Sequence, residues 1–242
     1  MSFVSKLIEK NKSKPLFCSA VIAAAGSSRR MEGPDKIFLE LCGTPVLVHT
    51  LKAFQNNCLI NEIVVVACDT EFKRISEYCE LYELNKVTRI ITGGKTRLES
   101  VMNGVLSVSR KAEIIAIHDG ARPCIEDNVI VSTVSAATKY HAVAPSIPVS
   151  STLKRAKDSI VSETIDRDDL YEIQTPQVFQ AEIIKAALTK ALDKSIEITD
   201  DCMAVELIGV PVYITKGSRC NIKLTTSEDI ILVEAILNKC KV

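Results

Sequence analysis

The feature that most constrains this chain is a rhythm. Short unbroken apolar runs, rich in β-branched residues, alternate with segments whose apolar side chains recur every three or four residues. The runs are Val21–Ala25, Ile63–Ala67, Val87–Thr92, Ile114–Ile117 and Ala142–Ile147; the amphipathic segments between them are Pro45–Phe54, Glu71–Leu81, Arg97–Ser107 and Asn128–Thr138. Runs of this kind belong in strands buried on both faces, so the expected architecture is α/β, a largely parallel sheet covered by helices on each side. Ligands of such sheets bind outside the carboxyl ends of the strands. The loops after Ala25, Thr92 and Ile117 are therefore the places to look for chemistry.

The rhythm breaks at Ser151. From there to Gln177 the sequence is polar and strand-like, with Thr152–Arg155 and Ile160–Ile165 flanking a Lys157-Asp158-Ser159 turn. This reads as a hairpin that leaves the main sheet. A hairpin is marginal in isolation, so a protruding one over residues 150–177 points to a partner surface, most simply a second copy of the chain. Beyond it, helices are expected over Gln180–Leu192 and Asp200–Leu207, the second capped by Thr199. A strand is expected over Val210–Thr215, and a last helix, capped by Ser227, runs to about Lys239. Thr44 and a first-turn Pro45 are expected to start the Pro45–Phe54 helix. Residues 1–242 read as one domain, with a polar, Lys-rich extension over residues 1–15 and no internal repeat.

Thirty basic and thirty acidic side chains cancel. A dedicated nucleic-acid binder would carry a basic excess, so any polyanion must be small and held by a few placed cations. The nine cysteines are odd in number and form no C-x-x-C pair, which fits neither a disulfide framework nor a zinc site. No stretch approaches the roughly 20 apolar residues of a membrane span. Lysines before Leu16–Ala25 resemble a secretory signal, yet cleavage near Ala25 would remove the opening strand, and a cytoplasmic protein is expected.

Three stretches carry chemistry. In the first, Val21–Ala25 runs into Gly26-Ser27-Ser28-Arg29-Arg30, with Lys36 close behind: a buried strand feeding exposed backbone N–H groups and cations, suited to a nucleoside triphosphate. The second, Gly93-Gly94-Lys95-Thr96, follows a strand and opens a helix as a phosphate-binding P-loop does. However, the first glycine such a loop needs would stand at Arg89, inside the strand, so a P-loop NTPase is disfavoured. Read instead as a site of close backbone approach, Gly93-Gly94 suits a flat base, with Ser100 further along the helix. The third, His118-Asp119-Gly120-Ala121-Arg122-Pro123, places a carboxylate and a guanidinium at a strand's carboxyl end, where they suit a ligand or metal.

Taken together and in order, these stretches resemble a known family. With Thr164-Ile165-Asp166-Arg167, Thr175-Pro176-Gln177, Ile198-Thr199-Asp200-Asp201 and Asn221-Ile222-Lys223 added, the chain from about Ala20 onward is similar to the 2-C-methyl-D-erythritol 4-phosphate cytidylyltransferases of non-mevalonate isoprenoid synthesis. The resemblance implies a Rossmann-like three-layer nucleotidyltransferase fold with a protruding β-hairpin arm. It also implies a Mg2+-dependent homodimer that joins the phosphate of methylerythritol phosphate to the α-phosphorus of CTP.

By resemblance, Gly26, Ser27 and Ser28 cradle the triphosphate, Ala24, Ala25, Gly94 and Ser100 surround cytosine and ribose, and Arg30, Lys36 and Lys223 stabilise the pentacovalent phosphorus. Asp119 and Arg122 meet the substrate, Asp119 also contacting the metal directly or through water. Thr152, Arg167 and Thr175 sit on or beside the arm and reach a neighbour's site, where Arg167 binds the substrate phosphate; Thr199 lies near that substrate. Lys95 departs from the acidic residue other members often carry, which leaves base recognition there to backbone groups. The chain ends soon after its last helix, so no fused cyclase domain is expected. Two alternatives remain: a cytidylyltransferase acting on ribitol 5-phosphate, and a non-catalytic nucleotide-binding protein. The Gly120-Ala121 pair and the Thr164–Arg167 segment favour methylerythritol phosphate over ribitol 5-phosphate.

Overall fold

A computed structural model describes residues 16–26 and 36–239. Its strands are β1 (Cys18–Ala23), β2 (Glu40–Leu41), β3 (Thr44–Pro45), β4 (Glu62–Ala67), β5 (Val87–Thr92), β6 (Ile114–Asp119), β7 (Ala142–Pro148), β8 (Leu153–Lys157), β9 (Ile160–Ile165), β10 (Tyr171–Ile173), β11 (Gln177–Gln180) and β12 (Tyr213–Lys216). The α-helices are α1 (Val46–Asn56), α2 (Phe72–Leu81), α3 (Arg97–Ser107), α4 (Asp127–Tyr140), α5 (Ala181–Asp193), α6 (Asp201–Glu206) and α7 (Ser227–Lys239).

The main sheet runs β10-β7-β11-β6-β1-β4-β5, with β12 added against β7. Strand β1 pairs in parallel with both β4 and β6. Its side chains alternate between two cores, as the pleat requires. Ala20 and Ile22 pack with α1, α2, α4 and α7, whereas Val21 packs with α3, α5 and α6. Three layers result, as expected. The sheet is mostly parallel but mixed, because β11 enters antiparallel between β6 and β7, and β10 runs antiparallel to β7.

The chain moves outward from β1 through β4 to β5, then returns to the other side of β1 at β6. Between β1 and β6 the connections diverge, and the carboxyl ends of those strands open a crevice. Ala23 is in register with Asp119 there.

Several expectations shift at their edges. The detached two-stranded sheet of β8 and β9 is the arm, and its turn places Asp158 and Ser159 at positive φ. It is shorter than residues 150–177, because from Tyr171 the chain is back on the main sheet. Pro45, rather than Thr44, takes the cap position of α1, Thr44 being drawn into the small β2–β3 hairpin. Asp200 rather than Thr199 caps α6, its side chain accepting from the Met203 N–H. The late strand is Tyr213–Lys216, the residues that pair with β7. The extension over residues 1–15 lies outside the described residues.

Candidate active site

At the crevice between β1 and β6 lies a cleft of about 410 Å³, within the range of small-ligand sites. It is walled by the end of β1 through Gly26, by Lys36 and Ile37, by Gly94–Arg97 with Ser100, by Asp119 and Ala121, and by Lys223. The Ala24 N–H bonds to the Val66 carbonyl at 2.7 Å and the Gly93 N–H to the Ala67 carbonyl at 3.0 Å, so the loops after β1 and β5 are fastened to β4. Close packing explains Gly93: a Cβ there would stand 2.5 Å from the Ala25 Cβ.

The turn into α3 is closed by a capping box between Thr96 and Glu99. The Glu99 carboxylate accepts from the Lys95 and Thr96 N–H groups. A carboxylate therefore occupies the amides that a P-loop would offer to phosphate, which removes that reading. Ser100 Oγ accepts from the Gly94 N–H at 2.9 Å and donates to the Thr96 carbonyl at 2.9 Å. Its hydroxyl thus shapes the glycine loop while it lines the cleft.

Asp119 is the electrostatic centre. Its Oδ2 takes Arg122 Nε at 3.1 Å and Lys223 Nζ at 3.1 Å. Burial pushes the carboxyl up, but Lys223, Arg122 and Arg97 outweigh it and hold Asp119 well below the usual carboxylate range. Arg122 is fixed at its other end by the Asn221 carbonyl at 2.7 Å. The segment carrying Lys223 is fastened in turn, since the Leu224 N–H bonds to the Ala121 carbonyl and Asn221 Nδ2 donates to the Thr175 carbonyl at 2.8 Å. Lys36 is presented by a short 3-10 turn over Lys36–Phe38 whose Ile37 and Phe38 are buried.

The structure thus gathers Ala24, Ala25, Gly26, Lys36, Gly94, Ser100, Asp119 and Lys223 at one cleft, with Arg122 against Asp119. Ser27, Ser28 and Arg30 lie outside the described residues. Thr152 and Arg167 are exposed, Arg167 donating to the Ser150 carbonyl. Thr199 is exposed too, and its hydroxyl meets Met203 Sδ at 3.7 Å. Thr175 does not reach outward from the arm; it is buried behind Asp119, where its Oγ1 accepts from the Asp119 N–H at 3.3 Å. Sequence reasoning assigned no role to Gln177, whose side-chain oxygen accepts from the Asp201 and Cys202 N–H groups at 3.0 Å each. A polar side chain directly before the apolar pair Val178-Phe179 was the available signal.

Comparison with known proteins decides the family. The sequence model of the 2-C-methyl-D-erythritol 4-phosphate cytidylyltransferases matches residues 18–239. The chain belongs to this family. Among relatives of that name, the protein of Clostridium novyi is 42% identical over 226 residues, covering 93% of this chain and 97% of the relative. That of Halalkalibacterium halodurans is 40% identical over 220 residues, covering 90% and 96%. The crystal structure of 4-diphosphocytidyl-2C-methyl-D-erythritol synthase from Anaerococcus prevotii superposes with a TM-score of 0.82 at 32% identity, covering 93% of this chain and 97% of that one.

Proposed function

We infer that the cleft transfers the cytidylyl group of CTP to 2-C-methyl-D-erythritol 4-phosphate in isoprenoid precursor synthesis, giving 4-diphosphocytidyl-2-C-methyl-D-erythritol and pyrophosphate. The observation that carries this reading beyond family membership is that Lys36 lines the same cleft as the Lys223–Asp119 pair at the mouth of β1 and β6, beside the Gly94–Ser100 wall. An oxygen of the acceptor's phosphate attacks the α-phosphorus of CTP, the α–β phosphoanhydride bond breaks, and pyrophosphate leaves with the electron pair. The attacking phosphate is largely dianionic at neutral pH, its second pKa being near 6, so the reaction needs no general base. The work left to the protein is to hold two anions in line and to neutralise the charge that grows on the α-phosphate.

Lys36 and Lys223 supply that charge from opposite stretches of the chain, with Arg30 as a third cation. Gly26, Ser27 and Ser28 cradle the triphosphate, and Ala24, Ala25, Gly94 and Ser100 enclose the nucleoside. Asp119 orients Lys223 and Arg122, and Arg122 and Thr199 face the acceptor. The donor set fits a Mg2+ ion of the substrate-bound kind: one ionised carboxylate, Asp119, at the cleft, and among the described residues no cluster of three potential metal-ligating side chains. Asp119 would hold the ion together with phosphate oxygens and water, and the ion would neutralise phosphate charge. The arm supports a homodimer in which Thr152 and Arg167 serve the partner's cleft. Among the described residues the eight cysteines form no disulfide, which suits the reducing cytoplasm. Among the described residues no helix is long and apolar enough to cross a membrane.

The test supplies CTP and Mg2+ with methylerythritol phosphate or ribitol 5-phosphate and follows pyrophosphate release. Release with the first acceptor is expected; release with ribitol phosphate alone would overturn the acceptor, and none with either would overturn the transferase. Lys36→Ala is expected to lower kcat by about 10²-fold or more, as for loss of one preorganised charge stabiliser. A rate within about threefold of wild type would remove Lys36 from the mechanism.

A further inference from the structure

Arg97 opens α3 and lines the cleft between Gly94 and Asp119. Its guanidinium grips Asp201 as a fork, Nη1 donating to Oδ1 at 2.9 Å and Nη2 to Oδ2 at 2.7 Å. Asp201 is wholly buried, whereas 34% of the Arg97 side chain stays exposed. The backbone that carries this carboxylate is held in turn, because the Gln177 side-chain oxygen accepts from the Asp201 and Cys202 N–H groups and its Nε2 donates to Asp200 Oδ2 at 2.8 Å. Of the five guanidinium donors, the fork uses one on each terminal nitrogen. The remaining N–H groups, including Nε, have no acceptor among the described residues.

Asp201 offsets part of the charge of Arg97, although enough remains to be felt at Asp119, and the cleft already has Lys36 and Lys223 as cations for a phosphate, so charge is not what sets the pair apart. What it offers is a rigid plane of unspent N–H donors, from which a ligand hydroxyl oxygen can accept. We propose that Arg97 is a specificity-determining residue of the cleft, pinned by Asp201 so that it donates hydrogen bonds to ligand hydroxyls. The proposal rests on the cytidylyl-transfer reading, which offers two sources of such hydroxyls: the ribose of CTP and the polyol chain of the acceptor.

Selectivity ratios test it. kcat/KM is measured for CTP against 2′-deoxy-CTP and 3′-deoxy-CTP, and for methylerythritol phosphate against an analogue lacking one hydroxyl. Arg97→Gln alone strands a buried carboxylate, so the Arg97→Gln/Asp201→Asn double variant, which leaves two neutral amides, is measured beside Arg97→Lys. Each ratio is internal to one preparation, so a loss of folded fraction cancels and a purely structural role would not move it. Wild type is expected to favour at least one hydroxylated partner by about tenfold or more, as a site built to bond a hydroxyl does. In both variants that preference should shrink to within about threefold. Collapse of the nucleotide ratio assigns the contact to ribose, and collapse of the acceptor ratio assigns it to the polyol. Ratios within about twofold of wild type in both variants would overturn the proposal. If wild type shows no turnover, the transferase reading fails separately, and dissociation constants of CTP and the deoxynucleotides then read the same preference.

Discussion

His118 stands one residue from the centre of the site and never touches the cleft. The Thr175 hydroxyl accepts from the Asp119 N–H at 3.3 Å and lies 2.9 Å from His118 Nδ1. The other ring nitrogen faces a carbonyl, which can only accept, so in the neutral ring Nδ1 is the nitrogen left to accept from this hydroxyl. The imidazole proton is left on Nε2, 3.4 Å from the Arg122 carbonyl. Only the neutral ring can accept at Nδ1. The ring is fully buried, its centroid 4.9 Å from that of Phe54, and burial lowers its pKa to about 3 despite the neighbouring Asp119. Unfolded, it would titrate near 6.5, so between those values the unfolded chain binds the extra proton. Stability should fall as pH drops through 6.5, by up to about 1.4 kcal/mol per pH unit. Asp119 works in a separate window: its carboxyl is depressed, so its contribution is present above the ordinary value of 3.8 and is lost only as pH falls further. Urea midpoints measured between pH 7 and 5 without added divalent cation should decline for wild type, and the decline should flatten in His118→Gln. A wild-type midpoint constant across that range would rule out a buried neutral imidazole.

The arm has too little structure of its own to stand unaided. Among the described residues, strands β8 and β9 pair only with each other, and Ile160 and Val161 beside the turn are 73% and 56% exposed. If the arm serves a second copy, Arg167 acts in trans, whereas Lys36 acts within its own cleft. Arg167→Ala and Lys36→Ala homodimers should each be nearly inactive. Refolded together in equal amounts, they should regain about a quarter of wild-type activity, because half the dimers are mixed and each mixed dimer holds one intact site. No recovery from a mixture shown to exchange subunits would place Arg167 in its own cleft. At this scale the sequence was uneven as a guide. β5 and α3 are legible to the residue because a turn separates a clean strand from a clean helical repeat. β11 was hidden: its apolar part is only Val178-Phe179, and its place between β6 and β7 depends on partners about 35 and 60 residues away. The same non-local pairing turned Thr175 inward, behind Asp119. Lys36 and Asp119 could be picked out as a cation and a carboxylate beside strand-end loops, and Lys223 through the family resemblance, but the Asp201–Gln177 brace could not, because its purpose exists only once β11 is in place.

At the scale of the whole molecule, the site belongs to no single segment. One wall comes from the end of β1, the next from the β5–α3 turn, the floor from β6, and a last cation from the loop after β12, which crosses back over Ala121. A ligand touching all of them bridges residues that meet only in the folded chain, so its binding energy adds to the stability of the whole sheet. At a CTP concentration of about 100 times its dissociation constant, mass action adds about 2.7 kcal/mol. For a domain of this size that should raise the melting temperature by about 5–10 °C. Lys223 is 41% exposed, and Asp119 keeps Arg122 when Lys223 is lost, so Lys223→Ala should remove ligand contact rather than the fold. At the same CTP concentration the variant's shift should shrink to less than half that of wild type. An undiminished shift would mean that the far end of the chain does not close on the nucleotide, and that the strand ends of β1 and β6 hold it unaided.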